Sequence, residues 1–182
     1  MTMEFQLAGF GGQGIMVMGQ VMCYAGLERE DKHVSWFPSY GAEMRGGTAN
    51  CAVVISDEEI GSPVIGQPDA IVAMNNPSLL KFEKSVKPGG YLFVNSTLVD
   101  RKPTRDDIKI INVPANEIAN ELGNARVANM VMLGAVVELT KVVKHESVKE
   151  ALKDHLPERH HRLLPMNYEA LDKGAAIAKE QG

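Results

Sequence analysis

Apolar and polar positions along this chain fall into short runs punctuated by glycine and proline. Residues 4–9 (EFQLAG) form a brief apolar run ending in glycine, which reads as a buried strand. Residues 14–27 (GIMVMGQVMCYAGL) are almost continuously apolar, as expected of a helix packed against a sheet. The polar stretch 28–32 (EREDK) turns the chain, and residues 33–37 resume as a second strand. Strand, glycine turn, helix, turn and strand is the opening of a doubly wound α/β fold.

The pattern lapses over residues 38–47, where three glycines, a proline and two opposite charges show neither a helical nor a strand period. Residues 48–57 then alternate as a strand, with Ala49, Cys51, Val53 and Ile55 on one side. A turn at Asp57, Glu58 and Glu59 leads to a short returning strand over 60–64, and the two are expected to pair as a small antiparallel sheet of their own. Further strands are predicted over 70–74, 91–95 and 108–113, the last closed by Pro114. Asn76, Pro77 and Ser78 start a helix running to about Val86, and 125–143 form a long helix whose buried side carries Val127, Met130, Val131, Gly134 and Val137. Ser147 and Glu150 fit a capping box for a helix ending near Leu156, and Asn167 can cap a last helix that starts after Pro165 and runs towards Ala178. The prediction is one α/β domain over 1–182: a parallel sheet flanked by helices, with a small additional antiparallel sheet.

Composition narrows the function. The chain has 182 residues, 45% apolar and 23% charged, with a net charge of −4. That balance argues against nucleic-acid or membrane-surface binding, which needs a basic face. No apolar run approaches the roughly 20 residues that cross a bilayer, and the first residues do not read as a signal peptide, so a cytoplasmic location is expected. Cys23 and Cys51 lie far apart in apolar surroundings and read as reduced, buried thiols. Two separated cysteines cannot hold an iron–sulfur cluster, which usually takes about four.

Two segments can carry chemistry. Gly9, Phe10, Gly11, Gly12, Gln13 and Gly14 follow a predicted strand and open a predicted helix, the context in which such a turn presents backbone N–H groups to an anion. The plainer alternative is that these glycines only let strand and helix pack closely. Binding of NAD is disfavoured, because the second strand ends in Trp36, Phe37, Pro38 and Ser39 without the acid that holds a ribose. The second segment runs over 39–47 (SYGAEMRGG) and includes Tyr40, Glu43, Arg45, Gly46 and Gly47. It is expected at the same carboxyl edge as the glycine turn, with Arg45 offering a forked cation to a carboxylate or phosphate and Glu43 orienting it. A surface loop holding a local Glu43–Arg45 pair is the alternative. The histidines His155, His160 and His161 near Glu158 put no clear metal-ligand set on one face, so a solvated connection is the expectation and no metal site is assigned.

GFGGQG followed about thirty residues on by YGAEMRGG resembles the gamma subunit, or gamma domain, of 2-oxoacid:ferredoxin oxidoreductases. The similarity extends through TANCAVVISD, Gly61-Ser62-Pro63, Asn75-Asn76-Pro77, the helix segment NMVMLGA at 129–135, and the Asn167, Ala170, Gly174 pattern. It implies the domain III type of fold of pyruvate:ferredoxin oxidoreductase. It also implies a subunit that works with alpha, beta and delta partners, in a complex using thiamine diphosphate, Mg, iron–sulfur clusters, coenzyme A and ferredoxin. In that setting this chain binds no cofactor and carries no catalytic residue alone, and the region of Gly9, Gly11, Gly12, Gln13, Gly14, Tyr40, Glu43, Arg45, Gly46 and Gly47 positions coenzyme A or a substrate anion, or else docks the alpha subunit. The second motif leans towards 2-oxoglutarate or branched-chain oxoacids over pyruvate, and indolepyruvate enzymes, which carry a related domain, are a further alternative. From other classes, a stand-alone nucleotide- or phosphate-binding regulatory protein and a purely structural assembly subunit are the alternatives.

Overall fold

The computed structural model describes residues 1–40 and 48–182. Six strands, β1 (Thr2–Phe10), β2 (His33–Tyr40), β3 (Thr48–Ser56), β4 (Ala70–Ala73), β5 (Tyr91–Asn95) and β6 (Lys109–Val113), form one sheet in the order β2-β3-β1-β4-β5-β6. β1, β4, β5 and β6 run parallel, as their crossover connections require. β3 is antiparallel to both of its neighbours.

The antiparallel component expected around residues 48–57 is present, but it lies inside the main sheet, with β1 and β2 as partners and not residues 60–64. β3 returns directly from β2 as a hairpin and lodges between β2 and β1, so the second strand of the chain is not the neighbour of the first. The short strand expected over 60–64 does not form: residues 57–69 are irregular and mostly exposed. With both flanks of β3 occupied by β1 and β2, no ladder position on it is left for a returning strand.

Helices α1 (Ile15–Glu30), α3 (Ala115–Glu121), α4 (Ala128–Thr140), α5 (His145–His155) and α6 (Leu164–Lys179) share one core with one face of the sheet. Phe5, Leu7, Val53, Val72, Phe93 and Ile111 point into it, each side chain contributing roughly 1.5–3 kcal/mol by burial. α2 (Asn76–Phe82) and the segment around Val99 cover the other face over β4 and β5, where Ile71, Ala73, Leu92 and Val94 meet Leu79 and Val86. The cysteines are free and buried, as expected. Among the described residues no helix is long and apolar enough to cross a membrane.

α4 is buried nearly all round, more than its predicted stripe implied, because α6 covers the side away from the sheet. The two helices touch backbone to backbone: a Cβ on Gly134 would strike the Leu171 carbonyl, and one on Gly174 the Val131 carbonyl. Two motif segments singled out in the sequence, 129–135 and the one containing Gly174, are thus the two sides of one helix seam.

Helix ends differ from expectation. α5 starts at His145, so Ser147 lies buried within its first turn and no capping box with Glu150 forms. Glu30, at the end of α1, accepts the Lys144 N–H at 2.6 Å and supplies the cap from a distant segment. Asn167 lies inside α6, which begins one residue before Pro165, and its Nδ2 donates to the Leu163 carbonyl at 2.8 Å. α3, directly after Pro114, was not foreseen.

Candidate anion-binding site

β1 delivers the chain to its carboxyl end at Gly9 and Phe10, and a tight turn follows in which the Gln13 N–H donates to the Phe10 carbonyl at 3.2 Å. Gly12 (φ 90°) and Gly14 (φ 74°) hold left-handed backbone that a side chain would disfavour. The glycines divide the work. A Cβ on Gly9 would meet Gln13 Oε1 at 2.6 Å and Met74 Cβ at 2.9 Å, and one on Gly14 would collide with the Asn129 amide. These two permit close packing, and Asn129 Nδ2 donates to the Gly14 carbonyl at 3.3 Å. Gly12 instead is exposed, with no heavy atom within 4 Å of where its Cβ would stand.

Gln13 braces the turn. Its Oε1 accepts the Phe10 N–H at 2.6 Å and Asn75 Nδ2 at 3.4 Å, while its Nε2 donates to the Met74 carbonyl at 3.5 Å. Asn75 caps α2 by accepting the Ser78 N–H at 2.9 Å. One strand further, Asn95 ends β5 without exposed surface, and its Nδ2 donates to the Met74 carbonyl at 3.4 Å and to Asn116 Oδ1 at 2.8 Å. A row of amides thus ties together the carboxyl ends of three parallel strands.

A cleft of about 190 Å³ opens against this row, lined by Gly12, Gln13, Met74, Asn116, Ala125, Arg126 and Ala128. Arg126 is held on a single 3-10 turn, Ala125–Val127, which Asn124 caps by accepting the Arg126 N–H at 3.0 Å. Among the described residues, no carboxylate lines the cleft and Arg126 makes no ion pair. The arrangement is chemically one-sided: donors and a permanent cation, suited to an oxyanion.

Of the predicted site residues, Gly9, Gly11, Gly12, Gln13 and Gly14 are one continuous turn at this edge. Tyr40 is the last residue of β2 and pairs with Ala49. Glu43, Arg45, Gly46 and Gly47 lie outside the described residues. The strand ends on either side of them are fixed: Thr48 pairs with Phe10, and Ala49 with both Gly9 and Tyr40, so β2 ends and β3 begins at the edge that carries the glycine turn. Sequence reasoning missed Asn95, Asn116 and Arg126. A polar residue closing the otherwise apolar run YLFVN was the available signal for Asn95; nothing local marked the other two.

Other histidines and the cysteines have structural surroundings of their own. Glu28 pairs with His155 at 2.8 Å, and His155 stacks on Tyr24 at 3.5 Å between ring centres. His161 Nε2 lies 2.7 Å from the Leu156 carbonyl. Burial pushes both cysteine thiols up to about 12, which keeps them protonated at neutral pH, and each points at a backbone carbonyl 3.7 Å away.

Residues 4–177 match the family model described as pyruvate ferredoxin/flavodoxin oxidoreductase. The chain is 42% identical to the ketoisovalerate oxidoreductase subunit VorA of Methanothermobacter thermautotrophicus, over 96% of this chain and 36% of VorA. It therefore spans about a third of that relative's length. It is 37% identical to the 2-oxoglutarate synthase subunit KorC of Methanocaldococcus jannaschii, over 99% of this chain and 96% of KorC. The gamma subunit of the keto/oxoacid ferredoxin oxidoreductase of Geobacter sulfurreducens superposes with a TM-score of 0.88 at 31% identity, covering 100% of this chain and 98% of that one. A TM-score of 0.90 at 29% identity relates all of this chain to 32% of a chain of the 2-oxoglutarate:ferredoxin oxidoreductase of Magnetococcus marinus, solved with 2-oxoglutarate, coenzyme A and succinyl-CoA bound. These relatives do not favour a stand-alone regulatory binder, and the chain belongs to the pyruvate ferredoxin/flavodoxin oxidoreductase family.

Proposed function

We propose that this chain is the gamma subunit of a complex that oxidatively decarboxylates a 2-oxoacid, transfers the acyl group to coenzyme A and reduces ferredoxin. The observation that carries the reading is the end-to-end agreement with KorC, a subunit of 2-oxoglutarate synthase, over 99% of this chain and 96% of that one. The chain's own chemistry supports a dependent role. Its two cysteines are free and buried, and two thiols fall short of the roughly four that an iron–sulfur cluster usually takes. Clusters, thiamine diphosphate and Mg belong to the alpha, beta and delta partners in this reading. The agreement with relatives named for 2-oxoglutarate and for ketoisovalerate leaves both as substrate candidates, with pyruvate behind them.

Within the complex, the edge formed by Gly9, Gly11, Gly12, Gln13 and Gly14, together with Tyr40, Glu43, Arg45, Gly46 and Gly47, faces the shared site and positions coenzyme A or the oxoacid carboxylate. The test is reconstitution: this chain should co-purify with thiamine-diphosphate and iron–sulfur chains, and the assembled enzyme should reduce ferredoxin with one of a panel of oxoacids. Free chain that never joins such partners removes the reading. Arg45→Ala in the assembled enzyme should weaken the apparent affinity for coenzyme A or the oxoacid. Unchanged affinities with a lost pull-down of the alpha chain would make the segment a docking element.

A further inference from the structure

The two edges of the sheet are finished differently. The outer side of β6 is occupied by the Gln181 carboxamide, bonded both ways to Asn112. β2, at the other end of the strand order, has β3 on one side and no strand of the described residues on the other. Its sequence, HVSWFPSY, contains no Lys, Arg, Asp or Glu, and such charges are a usual guard against strand addition at an edge.

The register fixes which groups this edge offers. The Asp57 N–H donates to the Met1 carbonyl at 3.0 Å, which makes that pair, and every second pair of the β1–β3 ladder from there, a hydrogen-bonded one. The odd-numbered residues of β3 thus bond to β1, while the Glu4 and Ala8 carbonyls turn the other way and accept from Asp69 and Met74. The even-numbered residues of β3 are left for β2, where they meet His33, Ser35, Phe37 and Ser39. Val34, Trp36 and Pro38 therefore point their backbone groups outward, and Pro38, which has no N–H, stands where an edge strand tolerates it. Among the described residues nothing pairs with the outward N–H and C=O groups of Val34 and Trp36.

This pattern is complementary to itself. With a second copy laid antiparallel about a twofold axis at Ser35, Val34 faces Trp36 in both directions, and each pair exchanges both of its hydrogen bonds. Pro38 then falls opposite Lys32, whose N–H is already donated to the Gly26 carbonyl at 3.0 Å. Neighbouring registers set Pro38 or Lys32 opposite Val34 or Trp36 and leave a carbonyl without a donor. The side chains of Val34 and Trp36 already pack on the helix-covered core. On the other face Phe37, 54% exposed and aligned with Ala52 and Gln6, comes to lie across from His33 of the second copy in a close, non-hydrogen-bonded pair.

We propose that β2 pairs antiparallel with β2 of a second copy of this chain, about a twofold axis at Ser35, and joins two sheets into one. The pairing is independent of which reaction the complex performs. Because the strands run in opposite directions, the two glycine turns lie at opposite ends of the seam.

Strand pairing buries less than a standard interface, so the 182-residue chain should dimerise weakly, visible by sedimentation towards the upper end of a range from roughly 1 µM to 1 mM. Hydrogen exchange at the Val34 and Trp36 amides should slow as chain concentration rises, while the Ser35 and Phe37 amides, already bonded to β3, do not respond. Ser35→Lys sets like charges across the axis and should raise the dimer dissociation constant about fivefold, as should Ser35→Asp. An equimolar mixture of the two variants should recover the affinity, which misfolding of either does not allow. In the assembled complex, Ser35→Cys should link two copies of this chain on mild oxidation with oxidised glutathione, since residues facing each other in such a pair stand about 4.5 Å apart at Cα. A chain that stays monomeric to about 1 mM, a dimer whose Val34 and Trp36 amides exchange independently of concentration, or unaltered affinity in both charge variants overturns the proposal. So does a Ser35→Cys complex that cross-links to a different chain or not at all.

Discussion

Gln13 and His145 show how much single side chains do in this molecule. Gln13 joins the Phe10 N–H to the Met74 carbonyl, and since Asn95 also donates to that carbonyl, Gln13→Ala strands the Phe10 donor and leaves Met74 one of its two partners. The variant should lose about 1–3 kcal/mol of unfolding free energy in urea titrations. His145, on α5, is half-buried and faces Glu138 of α4 at 3.2 Å, with Lys141 just past the end of α4 and Asp172 and Lys179 on α6. Burial holds its imidazole below the usual 6.5, and the attraction of Glu138 does not reverse this. The unfolded chain then takes up the proton more readily, so this group costs stability as pH falls from 6.5 towards the lower folded value and costs nothing above that range. Melting temperatures at pH 7.5 and 5.5 should therefore converge more closely in His145→Gln than in the wild type. The sequence announced the glycine turn, yet it did not say that Gly9 and Gly14 make room for neighbours while Gly12 stays open. That division depends on Met74 and Asn129, which arrive from elsewhere in the chain. That Arg126 and Asn116 line one cleft was illegible for the same reason: it depends on which segments stand beside each other, not on local pattern.

Strands and long helices were readable because burial imposes a period, and β1, β4, β5, β6, α1 and α4 fall where apolar runs predicted them. Strand order was not, because adjacency in a sheet leaves no mark on local alternation. β3 alternates equally well as an isolated hairpin arm or as an inserted strand. Helix caps failed where the capping atom is remote, as with Glu30 and the Lys144 N–H. The α4–α6 seam was present in the sequence as two glycines, although their facing each other was not. Gly134→Ala or Gly174→Ala should push the helices apart and cost about 1–3 kcal/mol, with thermal unfolding as the measure, and the double variant should fall short of additivity because both changes open the same contact.

The whole molecule is lopsided: five helices share the core on one face of the sheet, while α2 lies on the other. Its outer strand β6 is finished by a side chain, since Gln181 accepts the Asn112 N–H at 2.9 Å and donates to the Asn112 carbonyl at 2.8 Å. This carboxamide imitates one rung of a further strand and blunts an edge that otherwise invites pairing. Gln181→Ala should speed hydrogen exchange at the Asn112 amide severalfold without altering that of β4 in the sheet interior.

β3 is gripped along its whole length, by β1 from Thr2↔Ser56 to Phe10↔Thr48 and by β2 from His33↔Ser56 to Tyr40↔Ala49. The ladder thereby sets the spacing of Tyr40 and Thr48, whatever the length or wording of the sequence between them. Lengthening it twofold should cost only about 0.6 kcal/mol in closure entropy. A change of length or wording between Tyr40 and Thr48 should therefore leave the register of β1, β2 and β3 where it is, and unchanged hydrogen exchange along β3 in an insertion variant would show it.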